Sequence, residues 1–230
     1  MTASQRKITI ALLGKTGHGK SATGNTILRK NYFKESSNMS SCSKLVKDGE
    51  NKIDGYVVTV YDTPGPYDTD ENEAFMKKKA VEHCDTLMYA CTNSGVNAFI
   101  LVLNYSASYT EEEIKTVNMY EQIFGPDFIK NHGILVFTHG ENFDEEETGN
   151  FKTWCNAQTG PMKTLIEKFQ DNILLIKNKG SFDGIRATSS HDILQLCIKK
   201  KEYLKCDYDR PSCIRNRKVL SGSGSYCKIM

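Results

Sequence analysis

GKTGHGKSATGNTILRK, Gly14 to Lys30, decides how this chain is read. Four glycines, Gly14, Gly17, Gly19 and Gly24, fall within a few turns' length, with Lys20-Ser21 among them, directly after the apolar run Ile8–Leu13. Gly14-x-x-x-x-Gly19-Lys20-Ser21 has the spacing of a phosphate-binding loop. Glycines let successive backbone N–H groups curl around a phosphate without a side-chain clash. A helix opening at Lys20 adds its dipole and its unpaired N–H groups. Lys20 offers a cation to the β- and γ-phosphates, and the Ser21 hydroxyl offers a ligand to Mg²⁺. The loop therefore nominates Gly14, Lys15, Gly17, His18, Gly19, Lys20, Ser21 and Ala22 as nucleotide contacts. A glycine-rich turn without a ligand is the plain alternative, and the strand before and helix after it argue against that.

Working outward, four continuous apolar runs read as strands covered on both faces: Ile8–Leu13, Tyr56–Tyr61, Ala98–Leu103 and Gly133–Phe137, with a shorter fifth at Ile173–Ile176. Helical patterns lie between them. One starts over Lys20–Leu28, and Val81, Cys84, Met88 and Cys91 mark a second. Thr110 and Glu113, in capping-box register, open a third whose expected apolar face is Ile114, Val117, Tyr120 and Ile123. Pro161–Phe169 and Asp192–Leu204 supply two more. Strands alternating with helices mean an α/β fold of three layers, a mostly parallel sheet wrapped on both sides. Ser40–Glu50 reads as an edge strand or a loop. The expected division is a domain over 1–205 and a flexible basic tail over 206–230, where Pro211 and Ser221-Gly-Ser-Gly-Ser225 end the periodicity.

Hydrophobic residues make up 39% and charged residues 25%, an ordinary balance for a soluble domain. The net charge of +2 is uneven: Lys199 to Met230 holds nine basic and three acidic residues, leaving the rest mildly acidic. Such a tail suits solvent or an anionic partner, but no aromatic-basic interleaving supports nucleic acid. The eight cysteines form no CxxC pair, and the five histidines have no metal-ligand spacing. No signal-peptide pattern opens the sequence and no apolar run reaches membrane-spanning length, so a reducing, cytoplasmic setting is expected.

A nucleotide triphosphatase needs a carboxylate near its metal, at the end of a neighbouring strand. Val57-Val-Thr-Val-Tyr-Asp62-Thr-Pro-Gly65 supplies Asp62 for Mg²⁺ and the Gly65 N–H for a γ-phosphate. With the loop motif, with Gly95–Gly125 (GVNAFILVLNYSASYTEEEIKTVNMYEQIFG) and with Val136–Phe143 (VFTHGENF), the chain resembles the immunity-associated GTPases, GIMAP or IAN, from about Lys7 to Leu204. The long central box is the most specific part. The resemblance implies a P-loop NTPase fold of the Ras-like G-domain type that takes GTP or GDP with Mg²⁺. It also implies self-association across nucleotide-bearing faces, and a place in immune or stress responses at intracellular membranes.

By the same resemblance, Thr138-His139-Gly140-Glu141 is the base-reading segment, with Glu141 where Asp is common. A carboxylate accepts from two N–H donors on the guanine edge, and Glu sets it about one methylene further out. An ordinary solvated loop acid is the alternative for Glu141. His139 is placed to stack on the base, and Asn178 to help at the guanine edge. The first switch puts Ser43 on the metal, with Ser40 and Ser41 as rivals and a serine-rich loop without a ligand as the third reading. Pro66 follows Gly65 where Ras-type enzymes carry a water-orienting Gln, and Ser108 stands where many family members carry Arg. Tight binding with weak hydrolysis is the expectation, either as a cycling switch or as a GTP-loaded scaffold. A P-loop kinase is disfavoured, because no Arg-rich lid lies between Asp62 and Gly125. The ending Cys227-Lys-Ile-Met230 reads as a C-a-a-X box for prenylation, with Cys206 and Cys213 as palmitoyl candidates, and the basic stretch upstream suits an anionic membrane surface.

Overall fold

The computed structural model describes residues 6–34, 47–63, 95–124 and 127–200. Six strands form one sheet: β1 (Arg6–Leu13), β2 (Lys47–Ile53), β3 (Tyr56–Asp62), β4 (Ala98–Asn104), β5 (Gly133–Thr138) and β6 (Ile173–Leu175). Their order is β2-β3-β1-β4-β5-β6. Only the β2–β3 pair is antiparallel; the other four pairs are parallel.

The apolar runs work because alternate residues point to opposite faces and both faces are covered. Ala11, Leu13, Phe99, Leu101, Leu103, Leu135 and Phe137 belong to one core. Val117 and Tyr120 of α2 (Glu111–Phe124), Phe128 and Ile129 of α3 (Phe128–His132), and Leu165 and Phe169 of α6 (Gly160–Phe169) close it. Ile10, Leu12, Val58, Val60, Ile100, Val102, Ile134 and Val136 face the other way. They meet Ile27 and Leu28 of α1 (Lys20–Leu28) and Ile193, Leu194, Leu196 and Cys197 of α7 (Ile185–Lys199). Each such Leu or Ile contributes about 1.5–3 kcal/mol through burial. The three-layer α/β arrangement is the one expected.

Several elements differ from the sequence reading. Within Ser40–Glu50, only the end is described: β2 starts at Lys47 and runs to Ile53 as an edge strand, mostly exposed. α7 begins at Ile185, well before the expected Asp192, because its first turns bury Arg186, Ser189 and Ser190 rather than apolar residues. Its expected end at Leu204 lies outside the described residues. Ile114 is only half-buried, and the buried flank of α2 also carries Glu113 and Thr116. Two further short helices, α4 (Glu145–Thr148) and α5 (Phe151–Ala157), were too brief to show a period; Asp144 and Asn150 cap them through backbone N–H groups.

Among the described residues the cysteines are Cys155 and Cys197, both free and buried. Burial pushes the first thiol up to about 11 and the second up to about 12, so both stay protonated and unreactive at neutral pH. No helix of the described residues is long and apolar enough to cross a membrane. The helical pattern at Val81–Cys91 and the tail over 206–230 lie outside the described residues.

Candidate functional site

β1 ends between β3 and β4 at the middle of the sheet, so the loop after it opens at the C-terminal ends of parallel strands, where ligands of such sheets bind. Gly14 packs against β4: a Cβ there would lie 2.4 Å from the Val102 carbonyl oxygen. Gly19 stands at φ 88°, ψ 22° as the N-cap of α1, a left-handed conformation that costs an L-residue about 1–2 kcal/mol. The loop is closed from inside. Lys20, almost fully buried, donates from Nζ to the Lys15 carbonyl at 2.9 Å, and the His18 N–H donates to the same oxygen at 3.3 Å. A phosphate would take the place of that carbonyl as partner for the ammonium.

The Ser21 hydroxyl donates to Asp62 Oδ2 at 2.7 Å. Register brings this about: Asp62 ends β3 opposite Leu12, so its side chain arrives beside the first turn of α1. Burial pushes the Asp62 carboxyl above its ordinary value, against the Ser21 hydrogen bond and the nearby charges of Lys20 and Lys47. A buried carboxylate held above its usual range gains from a divalent cation. Two hard oxygens beside a phosphate loop fit Mg²⁺, which takes few protein ligands and completes its shell with phosphate and water.

The segment expected to read the base lies where β5 and β6 end. Thr138 is buried, and its hydroxyl lies 2.9 Å from the His18 carbonyl and 3.2 Å from that of Leu103. This ties the base loop to the phosphate loop. His139 adopts φ 61°, with Nδ1 2.9 Å from the Thr138 hydroxyl. Gly140 donates its N–H to the Ile176 carbonyl at 3.0 Å. Glu141 projects from the following turn, and its Oε1 lies 3.2 Å from Lys179 Nζ. Asn178 is turned toward α1. Its amide donates to Thr23 Oγ1 at 3.0 Å, and its oxygen accepts from Thr26 Oγ1 at 2.8 Å, so both ends are engaged by α1.

Sequence reasoning missed a polar layer supporting these loops. Arg186 of α7 reaches Thr26 Oγ1 at 3.0 Å and the Ala22 carbonyl at 3.4 Å, with Phe182 stacked 4.0 Å from its guanidinium. It also missed that His18 Nδ1 pairs with Glu113 Oε1 at 3.1 Å. The capping box itself was legible: Glu113 Oε2 accepts from the Thr110 N–H at 2.7 Å. Ser108 is exposed on the segment before α2. Gly65, Pro66, the Ser40, Ser41 and Ser43 candidates, and Cys206, Cys213 and Cys227 lie outside the described residues.

The model of the AIG1 family matches residues 8–203. The chain is 30% identical over 196 residues to immune-associated nucleotide-binding protein 7 of Arabidopsis thaliana, covering 84% of this chain and 61% of that protein. It is 28% identical over 207 residues to GTPase IMAP family member 8 of Mus musculus, covering 89% of this chain and 28% of the relative. The chain thus spans less than two thirds of either relative's length. Among solved structures, Toc33 from Arabidopsis thaliana in complex with GDP and Mg²⁺ superposes with a TM-score of 0.63 at 17% identity, covering 88% of both chains, a likeness of fold.

Proposed function

The chain belongs to the AIG1 family, and from that premise we propose that it binds GTP and GDP with Mg²⁺ in the loop Gly14–Ser21 and hydrolyses GTP slowly when alone. The observation that carries the reading is the Ser21–Asp62 pair, 2.7 Å apart at the mouth of a loop already curled around its own lysine. In this proposal Lys20 holds the β- and γ-phosphates, and Ser21 and Asp62 hold the metal, which supplies charge stabilisation. Glu141 reads the guanine donors.

The names of the two relatives, one nucleotide-binding and one a GTPase, support nucleotide chemistry without fixing its rate. Slow turnover is argued from Pro66 after Gly65, where Ras-type enzymes carry the water-orienting Gln, and from Ser108, where many family members carry a charge-stabilising Arg. A GTP-loaded scaffold is the second reading, favoured by that same Ser108. Assembly through nucleotide-bearing faces and a role in immune or stress responses remain within the proposal, carried by the family resemblance. Membrane attachment through a prenylated Cys227 is a separate part of it, and intact mass from a eukaryotic host checks it.

The test is competitive, Mg²⁺-dependent binding of GTP, GDP and ATP, with Lys20→Ala alongside. GTP and GDP binding that the variant loses, with ATP excluded, is the expected result. ATP binding as tight as GTP would reduce the protein to a general nucleotide binder, and no binding at all would leave an interaction domain.

A further inference from the structure

Guanine shows two N–H donors, N1–H and N2–H, beside the acceptor O6. A carboxylate reads the donors and leaves O6 unread, so a complete reading needs a donor next to the carboxylate. Lys179 Nζ lies 3.2 Å from Glu141 Oε1. The Lys179 side chain is 77% exposed and that of Glu141 24%, so the ammonium is open to a ligand on its outer side. As an exposed ion pair alone, the contact would add almost nothing to stability.

The backbone under Lys179 is nevertheless held firmly. Its neighbour Asn178 is engaged at both amide atoms by Thr23 and Thr26. Lys177 exchanges bonds with Ser189 of α7: its N–H donates to Oγ at 3.3 Å, and its carbonyl accepts from that hydroxyl at 3.4 Å. Gly140, one residue before Glu141, donates to Ile176. The two charges therefore project from loops stitched to each other and to the helix that carries the phosphate loop.

We propose that Lys179 is the second base-reading residue: its ammonium donates to guanine O6 while the Glu141 carboxylate accepts from N1–H and N2–H. This rests on the reading of Glu141 given above. Adenine reverses the pattern, presenting an amine toward the ammonium and a lone pair toward the carboxylate, so the pair rejects it at both positions.

The experiment measures affinity of the full chain, with Mg²⁺ near neutral pH, for GTP, inosine triphosphate and 6-thio-GTP. The 6-thio analogue keeps both donors but replaces O6 with a weakly accepting sulfur. Wild type is expected to prefer GTP over 6-thio-GTP by about tenfold, the worth of one charge-assisted hydrogen bond. Lys179→Met brings that ratio to about one by weakening GTP alone, and Lys179→Arg restores it. The preference for GTP over inosine triphosphate, which lacks the 2-amino group, stays with Glu141 and disappears in Glu141→Gln. Equal loss of both guanine analogues in Lys179→Met would overturn the proposal, leaving Lys179 as a positioner of Glu141. No change in either would make the contact a solvated surface pair. Failure of wild type to bind any of the three sinks the functional reading itself, and so is distinct from a failure of Lys179.

Discussion

Glu113 holds two loops with one carboxylate. Its side chain is 5% exposed, with Oε1 on His18 of the phosphate loop and Oε2 on the Thr110 N–H and hydroxyl. Burial pushes the carboxyl up, but the His18 and Thr110 contacts together pull harder, and the group ends below its ordinary value. A depressed carboxyl stabilises the fold fully above its unfolded value of about 4.3, and that gain is lost as pH falls through the folded value. Glu113→Gln should therefore lower stability by about 1–2 kcal/mol at neutral pH. The gap between the urea midpoints of variant and wild type should close as the solution is acidified below about pH 4; a gap independent of pH would mean that packing, not charge, is the cause. Asp62 carries the opposite sign. Burial holds its carboxyl above the usual value, so its ionised form opposes folding near neutrality. Asp62→Asn should leave the melting temperature of the nucleotide-free protein unchanged or higher, while weakening the dependence of GTP affinity on Mg²⁺. A melting temperature lowered by several degrees would show that the Ser21 bond outweighs the burial penalty.

The loop between β6 and α7 is fixed to α1 by side chains rather than by strand pairing. Asn178→Ala removes both amide contacts and leaves the Thr23 hydroxyl without its donor, a loss of about 1–3 kcal/mol. Denaturant unfolding measures that loss, and GTP affinity should fall with it, because residues 177–179 lose their tie to the phosphate-loop helix. Unchanged affinity alongside lost stability would separate the tie from the site. The same element shows what a sequence discloses. The strands were legible because both sides of β1, β4 and β5 are apolar, leaving uninterrupted runs such as Ala98–Leu103. The phosphate loop was legible because Gly14 and Gly19 have no substitute at their positions: one faces the Val102 carbonyl and the other is left-handed. The early start of α7 was hidden because Arg186, Ser189 and Ser190 are buried by hydrogen bonding, which leaves no hydrophobic period. The sequence reading placed Asn178 at the guanine edge; its contacts with α1 were hidden because they depend on Thr23 and Thr26, which lie in a distant part of the chain. The partnership of His18 with Glu113 was hidden for the same reason, although each residue stood in a motif that was read.

For the molecule as a whole, the proposed hydrolysis needs a group to complete it. In the proposed mechanism Lys20 and the loop position the phosphates, and position 108 supplies no second cation to the transferring group, because an exposed serine stands there on the segment before α2. An arginine supplied to such a site is worth ~10³-fold or more in rate. If a second copy meets this one across the nucleotide face, residue 108 of each copy is a candidate to face the nucleotide of the other, and Ser108→Arg tests that geometry directly. Wild type should hydrolyse GTP slowly, with a rate per molecule that hardly changes as protein concentration is raised. Ser108→Arg should hydrolyse faster by at least about tenfold, and only at concentrations where the protein self-associates, measured in parallel by light scattering under single-turnover conditions. The position is exposed, and exchanges at such sites usually change stability by less than about 0.5 kcal/mol, so a difference in rate reports the arginine and not the fold. Acceleration that is independent of concentration would place the arginine on its own nucleotide and argue for a self-contained switch. No acceleration in an associating variant would mean that the faces do not meet at residue 108, and the scaffold reading would then need another surface. Wild-type turnover that is already fast in dilute solution would remove the need for any second copy.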